Sequence, residues 1–182
     1  MTPRILMTSF DIWKSHHVTN ASDDLLAELL EQDWLSRSPF NQTVQLLRQL
    51  PVDFDLAPKR IIEAIAQFQP DIILCCGMAE KRPCLTVELN AKRDDQVLQT
   101  SVDLRSLLRP LRSTTISYDA GKFVCNHTYY AVLEYLQTHR INSHCLFVHV
   151  PVLQETNRDA IVEDFIAMTH ALTTQVNTLA LP

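Results

Sequence analysis

The segment Asp71-Ile72-Ile73-Leu74-Cys75-Cys76-Gly77 constrains the fold more than any other part of the chain. It is wholly apolar after Asp71, short, and closed by glycine, the pattern of a parallel strand buried on both faces. A strand of that kind needs cover above and below, and the flanking sequence alternates in the way that supplies it. Upstream, Arg4 to Phe10 reads as a strand. Ser22 to about Asp33 reads as a helix, with apolar residues at i, i+1, i+4 and i+5 behind capping-type residues. Thr43 to Leu50 is a second strand broken by Pro51, and Asp55 to Gln69 a second helix, ended by Pro70. Downstream, Cys84 to Ala91 alternates more openly, as a half-exposed strand does. The stretch Val97 to Arg112 is ambiguous apart from a short helix at Asp103 to Leu108. Then come a strand at Ser113 to Ser117, a helix at Phe123 to Thr138, a strand at Cys145 to Val150 and a closing helix from Glu155 to about Val176. This β-α alternation predicts an α/β three-layer sandwich with a mainly parallel sheet. No repeat or linker divides it, so residues 1–182 are expected to form one domain.

Composition narrows the function. The net charge of −5 provides no positive field to neutralise phosphates, which argues against a nucleic-acid partner. The longest near-continuous apolar run, Ile72 to Ala79, is far below the roughly 20 residues that span a bilayer, so no membrane segment is expected. The N-terminus runs straight into a strand without a cleavable apolar region, which suggests a cytoplasmic protein. Five cysteines, with Cys75 and Cys76 adjacent and no C-x-x-C pair, support neither a disulfide framework nor a cysteine-rich zinc site. Only two glycines occur, Gly77 and Gly121, where average usage would give roughly thirteen.

In open α/β sheets the ligand site lies outside the carboxyl ends of the strands. That rule selects Phe10 to Asn20, Gly77 to Pro83, Tyr118 to Cys125 and Val150 to Gln154. The third of these places Cys125 in the first turn of a helix, where the helix N-terminus favours the thiolate and an apparent pKa below the free value of about 8.5 is expected. The fourth follows a strand that delivers His149 to the same edge. A cysteine and a histidine on neighbouring strand ends can act as nucleophile and base. Glu88 points opposite to Val87 and Leu89 by strand alternation, so its carboxylate can fix the imidazole tautomer as a third member. The plain alternatives are a core cysteine, a hydrogen-bonded core histidine and a charged residue on an open strand face.

These residues carry a resemblance. Gly121-Lys122-Phe123-Val124-Cys125-Asn126-His127 with Tyr130 resembles the nucleophile motif of the pyroglutamyl peptidase I (pyrrolidone carboxyl peptidase) family of cysteine peptidases, and Phe147-Val148-His149-Val150-Pro151 resembles its histidine motif. Gly77-x-Ala79-x-x-Arg82 followed by Thr86-x-Glu88 resembles the segment that ends in its catalytic glutamate, and Leu50-Pro51-Val52-x-Phe54 and Thr8-x-Phe10-Asp11 also match. The resemblance implies a Cys125, His149, Glu88 triad and a twisted central sheet. It also implies removal of N-terminal 5-oxoproline from a small peptide or lactam substrate, with Phe10, Trp13, Met78, Phe123 and Val124 around that substrate. It implies no cofactor and no metal, and extends to this chain the family's tendency to form homo-oligomers.

Some positions depart from the family pattern. Asp11-Ile12-Trp13-Lys14 stands where the family has a glycine-rich run, and Met78 where it usually has a glutamine that bonds to the lactam; a thioether is a weak acceptor and no donor. The segment between Asp95 and Arg112 is short and lacks a clear counterpart of an arginine thought to assist at the oxyanion; Lys92 and Arg93 are the candidates, and Asn126 is another polar group in that region. His127, two residues beyond Cys125, is expected to face away from it, and His16-His17 reads as a surface loop with no third metal ligand nearby. The rival readings are an amidase for another small lactam or acyl amide and a non-catalytic binding protein.

Overall fold

The computed structural model describes residues 2–32, 34 and 43–179. In chain order its strands are β1 (Ile5–Phe10), β2 (Val44–Leu50), β3 (Ile72–Met78), β4 (Leu85–Glu88), β5 (Asn90–Arg93), β6 (Gln96–Gln99), β7 (Thr114–Ser117) and β8 (His144–Val150). The helices are α1 (Ala21–Glu31), α2 (Leu56–Phe68), α3 (Leu104–Leu108), α4 (Val124–Thr138) and α5 (Arg158–Leu179). Six strands make one sheet in the order β2-β1-β3-β8-β4-β7, and β5 and β6 form a separate antiparallel hairpin. All pairings in the large sheet are parallel except that of β4 with β8.

The wholly apolar β3 lies inside the sheet between β1 and β8, and its alternation divides the core. Leu74 and Cys76 face a cluster with Leu25, Leu29, Phe165 and Met168 of α1 and α5. Ile73 and Cys75 face a second cluster with Ile61 and Ile65 of α2 and Tyr129 and Leu133 of α4. Two helical layers therefore enclose the sheet, as the β-α alternation predicts. Helix α2 stops where Gln69 takes a left-handed backbone (φ 49°) ahead of Pro70. The expected end of the first helix, Asp33, lies outside the described residues.

Two expectations are corrected. The segment 84–91 is not one half-exposed strand: β4 is buried throughout, because β7 and β8 flank it and α4 with the β5–β6 hairpin covers one face. The ambiguous stretch after Val97 begins inside β6, a four-residue Gln96-Val97-Leu98-Gln99 strand whose sequence lacks the alternation that would reveal it. It is held by pairing with β5 and by Tyr130, whose hydroxyl donates to Gln96 Oε1 at 2.7 Å.

Candidate active site

The strand order reverses at β1: the chain passes from β1 to β2 on one side and then crosses from β2 to β3 on the other. The carboxyl ends of β1, β3 and β8 and the loop after β7 meet there around a cleft of about 210 Å³. Every substrate-contact residue expected from the sequence lines it: Phe10, Trp13, Met78, Phe123 and Val124. Cys125 and His149 line it too. Asn20, Val52 and Ala120 complete the wall; they fall in segments the sequence selected or matched, but none was singled out as a substrate contact.

Register places the polar groups. Gly77 of β3 pairs with His149 of β8, and on the other side of β8 Thr86 pairs with His149 and Glu88 with Phe147. Glu88 and His149 are thus diagonal neighbours on one sheet face, a separation that long side chains bridge. His149 Nδ1 and Glu88 Oε1 are 2.7 Å apart, with Glu88 fully buried and His149 5% exposed. A carboxylate can only accept, so Nδ1 carries the proton and Nε2 is the nitrogen left for chemistry. The open-face alternative for Glu88 is excluded by its burial.

Arg82 completes the support. Its guanidinium donates to Thr86 Oγ1, to Glu88 Oε1 and, at 2.9 Å, to the carbonyl of Asp119 in the loop before α4. Burial pushes the Glu88 pKa up, but the hydrogen bond from His149 and the charges of His149 and Arg82 outweigh it and hold the carboxyl below its usual range. Burial pushes His149 below the ordinary imidazole value, with Glu88 acting in the opposite direction. Arg82 stands within the sequence motif quoted above, but its contacts come from the fold.

Helix α4 brings in the thiol. Phe123 is its N-cap and makes no side-chain capping bond, which leaves the N–H groups of the first turn without a capping side chain next to Cys125 at the second helical position. Gly121 precedes it with φ 84°, a conformation that favours glycine, and its N–H donates to Asp119 Oδ1 at 3.2 Å. Gly77 is required for a different reason: a Cβ there would stand 2.8 Å from Cys125 Sγ and 2.9 Å from Phe147 Cζ. The sulfur therefore sits directly over the strand that pairs with His149. Among the described residues no hydrogen bond joins the thiol to the imidazole; both face the cleft.

The sequence expectation of a lowered thiol pKa is corrected. Burial first, and then the charge of Glu88, push Cys125 up to about 12, while its own backbone N–H and Arg82 work against them. The helix N-terminus is outweighed, and the resting group is a thiol.

The oxyanion candidates are also resolved. Asn126 is fully engaged in structure, accepting from Lys92 N at 2.9 Å and donating to Lys92 O at 2.7 Å. Arg93 pairs with Glu134 through two bonds of 2.9 and 3.0 Å and lies over the Tyr130 ring. Neither Lys92 nor Arg93 lines the cleft, nor does Asn126. His127 packs against Phe54 with ring centroids 5.3 Å apart, in line with the structural role expected of it. Met78 Sδ lies 3.4 Å from Ala21 N, and the Asn20 side chain caps α1 and donates to Asp11 O, so these cleft residues spend polar capacity on the scaffold.

Comparison with known proteins agrees with this arrangement. The family model described as pyroglutamyl peptidase matches residues 100–180. A pyrrolidone-carboxylate peptidase of a Thermoanaerobacter species is 26% identical over 177 residues, covering 82% of this chain and 83% of that one. One from Brevibacillus brevis is 27% identical over 135 residues, covering 60% and 63%. The fold is shared with pyroglutamyl peptidase I from Bacillus amyloliquefaciens (TM-score 0.78, 21% identity, 95% and 96% of the two chains). It is shared equally with pyrrolidone carboxyl peptidase from Thermococcus litoralis (TM-score 0.80, 16% identity, 97% and 96%). The matched family model, the relatives aligned over most of the chain and the common sheet, which carries the sequence motifs to one cleft, converge on one likeness: the chain is similar to the pyroglutamyl peptidases in sequence and shares their fold.

Proposed function

We propose that this chain is a cysteine exopeptidase that removes an N-terminal 5-oxoproline from peptides, with Cys125 as nucleophile, His149 as base and acid, and Glu88 as the group that orients His149. The observation that carries this reading is the buried 2.7 Å bond from His149 Nδ1 to Glu88, which aims Nε2 at the cleft that Cys125 also faces. Substrate fills the cleft and excludes water. The Cys125 proton passes to Nε2, and the sulfur attacks the carbonyl carbon joining the lactam to the next residue. The oxyanion is met by the free N–H groups at the start of α4. As the C–N bond breaks, His149 returns its proton to the departing amine. Water, deprotonated by the same nitrogen, then cleaves the thioester and releases pyroglutamate and the thiol.

The cleft is small and mainly apolar, which suits one ring bound between Phe10, Trp13 and Phe123. Met78 favours a second reading, an amidase for a small acyl group with less polarity than a lactam, because a thioether offers no donor to the ring carbonyl. Hydrolysis of a chromogenic pyroglutamyl amide beside a panel of aminoacyl and short acyl amides separates the two. Preference for the pyroglutamyl amide, abolished by Cys125→Ser, supports the first; turnover of acyl amides alone supports the second. The reading also takes residues 1–182 as one catalytic domain, since both helical layers close on one sheet, and places it in the cytoplasm, where its five thiols stay reduced. None of the described helices is long and apolar enough to cross a membrane.

A further inference from the structure

Next to the cleft lies a group of side chains that the chemistry above does not use. The loop after β1 carries His16 and His17, and Glu80 follows β3. The sequence leaves the histidine pair without a third ligand; the fold supplies it from 63 residues further along the chain. One donor atom from each of the three can be chosen so that all lie within 4.8 Å of one another. His17 Nε2 is 2.6 Å from Glu80 Oε1, and the two imidazole rings have centroids 4.4 Å apart at 67°.

We propose that His16, His17 and Glu80 bind one divalent transition-metal ion of the zinc class at the rim of the cleft. Two imidazoles and a carboxylate form the donor set of an open tetrahedral zinc site, with a water completing the coordination. Metal–ligand bonds of about 2 Å bring donors to within about 3.5 Å of one another, so rotation of the exposed His16 side chain is enough to close the site. His17 Nδ1 is buried with no hydrogen-bond partner among the described residues, so nothing else competes for that ring.

Lys14 is the competitor. Its ammonium lies 2.6 Å from the same Glu80 oxygen and 4.2 Å from the centre of the Trp13 ring. A bound metal takes over that oxygen and displaces the ammonium. Trp13 feels the exchange, since its ring packs on His17 (5.8 Å) and on Phe123 (5.0 Å) at the cleft wall. The metal is therefore a regulator of the Trp13 loop and takes no part in the triad; the site stands whether or not the cleft cleaves pyroglutamyl amides.

The test uses the full, untagged chain with Cys125→Ser, which removes the cleft thiol as a rival ligand. Zinc is titrated by calorimetry and equilibrium dialysis at pH 7.5, with Trp13 fluorescence followed in the added background of Trp34→Phe. The expected result is one equivalent bound, with His17→Ala and Glu80→Ala each weakening affinity at least about tenfold. Lys14→Gln tightens it several-fold because the tethered cation is gone, a gain that misfolding cannot imitate. Absence of stoichiometric binding, an affinity indifferent to His17→Ala and Glu80→Ala, or no gain from Lys14→Gln overturns the site.

Discussion

With its thiol held up to about 12 by burial and by the Glu88 charge, Cys125 rests protonated, and the proposed reaction therefore requires proton transfer to His149 when substrate fills the cleft. Iodoacetamide labelling of the free protein should accordingly be slow at Cys125 near pH 7 and climb with pH. Glu88→Gln removes a charge that opposes the thiolate, and should move the labelling profile to lower pH while kcat/KM falls about 10²- to 10⁴-fold through loss of the His149 orientation. Rapid labelling of wild-type Cys125 at pH 7, mapped by mass, would show that the helix N-terminus prevails after all. Gly77 is as restricted as the triad: Gly77→Ala drives a methyl into Cys125 Sγ and the Phe147 ring, and should cost about 1–3 kcal/mol in stability and most of the activity. In the proposed function Met78 contributes to specificity. In Met78→Gln the amide oxygen can take over the bond from Ala21 N, which leaves its NH₂ free to meet the lactam carbonyl; we expect kcat/KM on a pyroglutamyl amide to rise about tenfold, consistent with one recovered hydrogen bond. An unchanged rate with an intact fold would mean that Met78 does not face the ring. At this scale the sequence already pointed to Cys125, His149 and Glu88, because strand ends bring ligands together in such sheets. The direction of the thiol pKa was not legible, since it depends on Glu88 and on burial that only the assembled fold creates.

Among the elements, α4 and the β4–β6 segment act as one piece that fixes the distance between thiol and carboxylate. Tyr129 donates to the Glu88 carbonyl at 3.2 Å, Asn126 bonds Lys92 in both directions, and Tyr130 reaches Gln96. Asn126→Ala strands the Lys92 N–H and carbonyl, and should destabilise the protein by about 1–3 kcal/mol while lowering kcat more than it raises KM, since the reacting groups drift while the cleft wall remains. Denaturant midpoints and steady-state kinetics check both parts; a variant as active and as stable as wild type would show the hairpin to be dispensable. The long helices and the buried strands were readable because their apolar periodicity is strong over many residues. The β5–β6 hairpin was not, because Gln96–Gln99 is short, lacks polar–apolar alternation, is largely exposed, and is held as a strand by β5 and by Tyr130 of α4. The burial of β4 was equally hidden: alternation shows which side chains share a face, but not that β7 flanks it or that a hairpin will cover that face.

Across the whole molecule, titration of the buried groups makes stability depend on pH in a definite direction. His149 and His144 are both held below the ordinary imidazole value, in each case first by burial. As pH falls below about 6.5, the unfolded chain takes up protons at these positions that the folded chain refuses, so stability falls. Glu88 and Asp23 lie below the ordinary carboxylate range, so their contribution is complete above about pH 4.3 and is lost as pH drops through their folded values. Asp24, pushed up by burial, acts in the opposite direction but against several groups. Two acid steps are therefore expected, a histidine step that begins below about pH 6.5 and a carboxylate step that begins below about pH 4.3. Denaturant midpoints measured from pH 8 to about pH 2 should fall across both windows. His144→Gln with His149→Gln should flatten the first step and leave the second, because a glutamine at 149 carries no titrating group yet can still donate to Glu88. A wild-type midpoint that stays level from pH 8 to pH 5 would mean that neither imidazole is held neutral by its burial, and with it would go the assignment of His149 as a base ready to accept the Cys125 proton at neutral pH.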